Sequence, residues 1–554
     1  MFIDAATVVT RTIETEVCII GAGPAGITLA REFAEQKFQV CLLESGNIEF
    51  NDETQLLCQG ETIGDSFLPL DYIRRRQFGG TANCWEAELT KNIFGFRCVP
   101  LDKIDFEKRE WLPYSGWPFN RSHLEPYYKR AQSVCKVGAF TYEPELWEDA
   151  QTQRIPFAGD RVSTSMFQLA PRTIFTHDYR EEVGHSSNIT TYLNANVVEI
   201  ETNETAKTVT RVRVACLQGN QFWVCAKVFI LATGGIENAR LLLLSNKTQT
   251  TGLGNQNDLV GRFFMDHPNG HGTFIPNSQK VFSTTDLYNI RQVNNLPVQG
   301  KLTLSEEVMH REQLLGLALC LTPEPKVYQS NAIASMKTLL AASRSAQVPQ
   351  DALQHLGNAI GGLDYISSLA YWAAIKRLPG RGQDESWYLR HSKERFSLFK
   401  VLYQTEQAPN PDNRVVLSRD RDRLGCQKVE LHWRWRDIDI RSLRRSQEIF
   451  REEIARTGLG HLETGLDGEV IQLQNPAGMH HPTGTTRMHI DPKQGVVDEN
   501  CQVYGISNLF ISGSSVFPTG SYANPTLTIV ALAIRLADHV KTIMTKNTAA
   551  ILSD

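Results

Sequence analysis

The sequence predicts an α/β protein, α+β overall, in which a doubly wound nucleotide-binding domain is interleaved with a second domain built on an antiparallel sheet plus helices. Three observations carry that expectation. Residues 16–46, EVCIIGAGPAGITLAREFAEQKFQVCLLESG, read as one complete strand-turn-helix-strand unit. Two later stretches repeat the strand-loop-helix order, since residues 228–232 lead through Thr233-Gly234-Gly235 into IENARLLLLS, and residues 509–512 lead through GSSVFPTGSYANP into an apolar helix. Between them, Val429, Leu431, Trp433 and Trp435 alternate with Glu430, His432, Arg434 and Arg436, the period of a half-buried antiparallel strand. At 554 residues the chain exceeds what one hydrophobic core usually supports, so two domains are expected.

In the first unit, residues 17–20 form a short apolar strand and Gly21, Gly23 and Gly26 supply a tight turn that brings backbone close to a pyrophosphate. A helix to Glu35 follows, whose N-terminal N–H groups and positive dipole end favour an anion. Residues 40–43 make the second strand. Glu44 at its end, followed by Ser45, stands where a carboxylate can hydrogen-bond ribose hydroxyls, which fits FAD or NAD and repels the extra phosphate of NADP. The Gly-rich loop RRRQFGGTANCW reads as a site loop, with Arg76 ahead of it and Gly79 and Gly80 allowing close backbone approach. The Arg419 to Arg423 run reads as a solvated turn that closes a hairpin between RVVLS and the alternating strand. A stretch rich in Ala, Ser and Leu, residues 331–377, reads as helical packing around a sheet that also has the option of capping a pocket. Near the C-terminus, Asn524 before Pro525 is a helix start, and the helix from Thr526 to about Lys541 is apolar almost all round, so it belongs in the interior. A buried positive helix end beside a redox ring stabilises an anionic reduced flavin.

Composition narrows the classes. With 57 basic against 61 acidic residues, no general attraction to nucleic acid or an anionic membrane is expected. No apolar segment reaches bilayer-spanning length, and the N-terminus lacks the apolar core of a secretory signal, so a cytoplasmic protein is expected. The eleven cysteines are dispersed and never form CxxC, which argues for reduced thiols. The spacing of His480, His481 and His489 matches no zinc pattern, and no metal is expected.

With these segments in place, the chain resembles the glucose-methanol-choline oxidoreductases, and its motif order is closest to the pyranose 2-oxidase and gluconate dehydrogenase branch. The residues that carry the likeness are GAGPAG with Glu44, FGGTANCW, SGWPFNRSHLEPYY, ATGGIENARLLL, VGRFFMDHP, and the tail from HHPTGTTRM through GSSVFPTGSYANPTLTIVALAIRLAD. They span nearly the whole chain. The resemblance implies FAD, an FAD-binding domain from residues 1–100, 189–268 and 492–554, and a substrate-binding domain from 101–188 and 269–491. It also implies oxidation of a CH–OH group in a sugar, glycoside, polyol or related small molecule, with oxygen or another acceptor taking the electrons and an electron-transfer partner subunit as one option. The same fold hosts redox-neutral and light-driven flavin chemistry, which is the alternative reading.

Alcohol oxidation needs a base for the hydroxyl proton. The position matching the family's catalytic histidine is His481, set by its HxxGT spacing to Gly484 and Thr485, while the adjacent His480 points elsewhere. Asn524 matches the second family position; as an ordinary helix cap its oxygen is occupied, yet its amide N–H₂ stays free to hold the substrate oxygen. The loop Thr81, Asn83, Cys84 and Trp85 runs by the flavin, and Cys84 replaces the histidine to which sugar oxidases attach FAD covalently, so noncovalent FAD is expected. By the same resemblance Val198 contacts the adenine, Ala232 and Thr233 and then Gly513 and Ser514 lie along the dinucleotide, and Pro525 and Thr526 present the helix start to the flavin.

Overall fold

A computed structural model describes the chain apart from residues 91–92, 151, 158–159, 326, 346–347, 365, 368–395, 465–478 and 552–554. Short apolar runs build its first layer. β1 (Phe2–Asp4), β2 (Val17–Ile20), β3 (Val40–Leu43), β4 (Ile189–Leu193), β5 (Val228–Leu231) and β6 (Leu509–Ile511) form a six-stranded sheet in the order β1-β4-β3-β2-β5-β6. Every neighbouring pair is parallel. All residues of β2, β3, β5 and β6 are buried, as a parallel sheet covered on its faces requires. α1 (Pro24–Phe33) packs on the long C-terminal helix α4 (Thr526–Ile551), which continues some ten residues past the end expected from its apolar run. The register aligns Ile20 with Leu43 and Leu231, and Leu231 with Ile511. The loops that follow these four strands therefore leave the sheet at one edge.

The second layer is an antiparallel sheet of nine strands among the described residues. Its central order is Asn269–Pro276, Phe396–Thr405, Leu317–Pro325, Leu296–Leu304, Val162–Pro171 and Ile93–Cys98. Alternation decides its two faces. Val298, Leu302, Leu319, Val401 and Tyr403 enter a core with Leu443, Phe450 and Ile454 of the amphipathic helix α3 (Asp437–Thr457), while the intervening residues turn toward the parallel sheet.

The alternating segment is a strand, Gln427–Trp433, paired antiparallel with Arg414–Arg421. Val429, Leu431 and Trp433 are buried, as expected from their period. This hairpin belongs to a small three-stranded sheet of its own, where it pairs in parallel with Gly60–Gly64. Its turn is solvated at Arg419, Asp420, Arg421 and Arg423, as expected, while the Asp422 side chain is only 4% exposed and ion-pairs with Arg240 at 2.7 Å. The Ala-rich stretch forms helices Val327–Ser345 and Ala352–Gly361, which pack on each other and leave Leu353, Leu356 and Ile360 exposed; 368–377 lies outside the described residues. Among the described residues no helix is long and apolar enough to cross a membrane.

Gly26 shows how tightly the first turn is built. A Cβ at this position would collide with the Gly21 carbonyl oxygen, so the glycine lets α1 close onto the turn. Replacing Gly26 by Val is expected to cost about 1–3 kcal/mol of stability and most of the bound cofactor, measured as a lowered thermal midpoint and loss of flavin absorbance.

Candidate active site

The aligned strand ends open into one continuous cavity. It is lined by Gly21 and Gly23 after β2, Glu44 and Ser45 after β3, Ala232 and Thr233 after β5, and Gly513 and Ser514 after β6. Arg76, Gly80, Thr81, Trp85 and Val198 complete one wall, and His481, Pro525 and Thr526 close the far end. The N-termini of α1, α2 (Gly234–Leu244) and α4 all reach it through Pro24, Gly234 and Thr526. Three positive helix ends therefore face the same space.

The cavity suits FAD on the chain's own geometry. Gly234 and Gly513 have φ of +87° and +118°, and nothing lies within 4 Å of the place a Cβ would occupy at either. Gly23 is nearly as open, with only the Gly80 Cα at 4.0 Å. A flat ring or a diphosphate can thus lie directly on backbone. Glu44 accepts hydrogen bonds from Ala22 N and Gly46 N, both at 2.8 Å, and from Ser45 Oγ at 3.2 Å. It ties together the turns after β2 and β3 and keeps acceptor capacity facing the cavity. Burial raises its pKa, against the pull of these donors and of Arg76.

Beside Val198 lies an ion cluster that local sequence pattern does not predict. Glu237 on α2 pairs with Arg74, with Arg76 at 2.7 Å and with Arg240 at 3.3 Å. Burial alone would raise the Glu237 pKa, but the three guanidinium groups outweigh it and hold it at about 2. Sequence signals are limited to the Arg74–Arg76 run and the i,i+3 spacing of Glu237 and Arg240, because Glu237 follows Arg76 by 161 residues.

Five expected cofactor or catalytic residues do not line the cavity: Gly26, Gly79, Asn83, Cys84 and Asn524. Gly26 serves the turn. Gly79, with φ of +92°, donates its N–H to the Ala22 carbonyl at 2.8 Å, and Asn83 Nδ2 donates to the carbonyls of Phe78 and Gly80. These contacts shape the loop that Gly80 and Thr81 present. Cys84 Sγ instead accepts from Arg75 Nε at 3.2 Å.

At the flavin end, Met265 and Thr483 bridge as a short antiparallel pair, which sets the chain around His267 against the chain around His481. Asp266 locks the two together. Its carboxyl accepts from the backbone N–H of His267 at 2.6 Å, Met479 at 3.0 Å and His481 at 3.2 Å. Burial pushes Asp266 up to about 7, against those three donors.

The hydrogen-bond partners then fix the ring protons. His267 Nε2 lies 3.2 Å from the Gly520 carbonyl, which can only accept, so His267 carries its proton on Nε2. Gln404 Nε2 donates to the Tyr522 carbonyl at 2.6 Å and to His267 Nδ1 at 3.0 Å, while Gln404 Oε1 accepts from Lys301 Nζ at 3.2 Å. His481 Nδ1, 3.1 Å from the same bare His267 Nδ1, must be the donor. The consequence is an unprotonated His481 Nε2 whose lone pair faces the Asn524 amide. Asn524 Nδ2 stands 3.5 Å from that nitrogen. Its Oδ1 has no hydrogen-bond partner among the described residues, so the helix-cap role expected of Asn524 is not realised and its amide is left for the site. His480, at φ +62°, turns its ring toward Tyr72, with centroids 4.9 Å apart.

Burial first, then His267, His480, Lys301 and Arg97, hold His481 well below the ordinary histidine value of 6.5. Burial likewise brings His267 down to about 4. Asp266 and His267 both lie in the DHP of the VGRFFMDHP motif, whereas Gln404 carries no sequence signal.

Residues 409–533 match the family model described as GMC oxidoreductase, and residues 15–263 match that of the pyridine nucleotide-disulphide oxidoreductases. The chain is thus similar to the glucose-methanol-choline oxidoreductases. It is 27% identical over 321 residues to the fructose dehydrogenase large subunit of Gluconobacter japonicus, covering 57% of this chain and 47% of that one. It is 22% identical to the 2-methyl-1,2-propanediol dehydrogenase of Mycolicibacterium austroafricanum over 95% of both chains. A solved formate oxidase superposes with a TM-score of 0.55 at 17% identity, covering 97% of this chain and 100% of that one, a likeness of fold. With these matches and this cavity, the protein is an FAD-dependent oxidoreductase.

Because Cys84 does not line the cavity and its thiol instead accepts from Arg75, acid precipitation should release FAD into the supernatant. Yellow colour retained in the pellet would overturn the noncovalent assignment. Replacing Asp266 by Ala removes the acceptor that holds the His481 loop, and flavin reduction by substrate should fall at least about tenfold with FAD still bound, read as reduction rate against flavin content.

Proposed function

We propose that this protein oxidises the CH–OH group of a sugar, glycoside, polyol or related small molecule, with His481 as the base. The observation that carries the reading is the bare Nε2 of a neutral, buried His481 beside the amide of Asn524 at the flavin end of the cavity. When bound, FAD supplies the acceptor for the carbinol hydride.

The chain's residues do the rest. A hydroxyl set between the two side chains donates to His481 Nε2 and accepts from Asn524 Nδ2. His481 takes the proton, and the Asn524 amide together with the positive field of Lys301 and Arg97 stabilises the developing alkoxide. His267 holds the ring so that its lone pair, and not its N–H, faces the substrate. Pro525 and Thr526 bring the α4 N-terminus to the same place. The names of the relatives support a sugar or polyol substrate, and the large-subunit relative supports a partner that carries electrons away.

His481→Ala should slow anaerobic flavin reduction by roughly 10²–10⁴-fold while FAD remains bound. Retention of the wild-type rate would sink the base assignment. Since His481 is held well below 6.5, its base form persists through neutral pH. The reduction rate should fall in acid, where the ring protonates, and decline above about 7 as Lys301 loses the charge that favours the alkoxide.

A further inference from the structure

His480 lines the cavity beside His481, yet the proposed reaction gives it no task. In an extended chain two adjacent side chains point to opposite sides, so His480 is expected to face away from the space that His481 reaches. The left-handed backbone of His480, at φ +62°, breaks that alternation, and both residues line the same cavity together with Pro482. A non-glycine residue in this region is uncommon and persists where the surrounding structure holds it.

The His480 ring has one closed side and one open side. Nδ1 is buried without a hydrogen-bond partner among the described residues, whereas Nε2 is not enclosed. A buried bare nitrogen costs less than a buried N–H with no acceptor, so the proton of the neutral ring sits on Nε2. Burial lowers the pKa of His480, against the pull of the Glu86 carboxylate, which keeps the ring neutral at neutral pH. An N–H donor therefore stands beside the bare Nε2 of His481.

Tyr72 fixes that ring from outside. It is 56% exposed, and its N–H donates to the Pro69 carbonyl at 3.0 Å to close the turn it sits in. Its ring lies against the His480 imidazole, with centroids 4.9 Å apart and planes tilted by 54°. The next residues, Ile73, Arg74 and Arg75, line the cavity, which puts Tyr72 at its rim.

We propose that His480 is a second substrate-binding residue, whose Nε2–H donates to an oxygen on the carbon next to the carbinol, and that Tyr72 is a positioning residue that holds the imidazole. This rests on the reading of His481 as base. The reacting hydroxyl donates to His481 and the neighbouring oxygen accepts from His480, so adjacent side chains grip a vicinal pair of oxygens with opposite hydrogen-bond polarity. A simple alcohol fills one half of the pair and leaves the His480 donor unmatched.

The test uses the FAD-loaded enzyme, anaerobically, with ethylene glycol set against ethanol, glycerol against propanol, and inositol against cyclohexanol. At least one polyol should reduce the flavin with a KM about tenfold or more below that of its simple partner. His480→Leu should raise that KM about tenfold or more and erase the difference, while His480→Gln, which keeps an N–H and has the same backbone demand, should restore part of it. Tyr72→Phe should behave as the wild type and Tyr72→Ala should move toward His480→Leu. A polyol KM unchanged in His480→Leu would overturn the proposal and leave the alcohol-oxidation reading intact. An equal rise for polyols and simple alcohols would also overturn it, as general damage to the site. A shifted flavin spectrum in substrate-free His480→Leu with polyol KM unchanged would assign the donor to the flavin instead. A binding readout stands apart from turnover: inositol should perturb the flavin spectrum of the wild type and not of His480→Leu. That difference, with no reduction by any hydroxyl compound, would keep the subsite and defeat the oxidation reading. Neither reduction nor perturbation by any polyol would overturn the proposal.

Discussion

Parallel strands cannot be joined by tight turns, and the rest of this molecule is organised by that constraint. The six strands of the central sheet come from the first 43 residues, from residues 189–193 and 228–231, and from residues 509–511. Each return to the sheet requires a crossover, so the long stretches between strands must leave it and fold elsewhere. The antiparallel sheet is made from those excursions. In-register strand ends then gather four loops at one edge, where helix N-termini also converge. A cavity at the carboxyl edge of a parallel sheet follows directly.

Charge is distributed unevenly along this cavity. At its adenine end, Glu237 and Asp422 offset Arg74, Arg76 and Arg240 at close range, which stiffens the wall that Arg76 and Val198 present. At the other end the balance is positive. Lys301, brought down to about 7 by burial and by Arg97, and Arg97 itself surround two histidines that burial keeps neutral. A neutral base in a positive field suits a reaction that begins by forming an alkoxide.

Local pattern carried much of the fold. The strands around Gly21, Glu44 and Thr233 announced themselves as apolar runs before turn residues, and the period-two alternation from Val429 to Trp433 reports burial on one side. The family resemblance brought His481, through its HxxGT spacing, and Gly513 and Ser514 to notice. Patterns of this kind fail where partners are remote. Arg74 and Glu237 are too far apart in sequence for spacing to pair them, and nothing local marks Gln404 as the residue that orients His267. Asn524 before a proline is an ordinary cap signal, yet its oxygen is unpartnered among the described residues and its amide lies beside His481. Cys84 occupies the loop expected at the flavin but does not line the cavity, its thiol accepting from Arg75.

The sequence by itself determined the nucleotide-binding unit, the buried character of the C-terminal helix and the chemical types at the site, because each follows from neighbours a few residues apart. Only the tertiary structure decided which nitrogen of His481 is bare, since that depends on a chain of donors from Lys301, Gln404 and His267 that meet through three separate strands and loops. It also decided that Asp266 holds the His481 loop and that Lys301 has no carboxylate beside it among the described residues. Proton position and charge balance are properties of contacts, and these contacts are long-range.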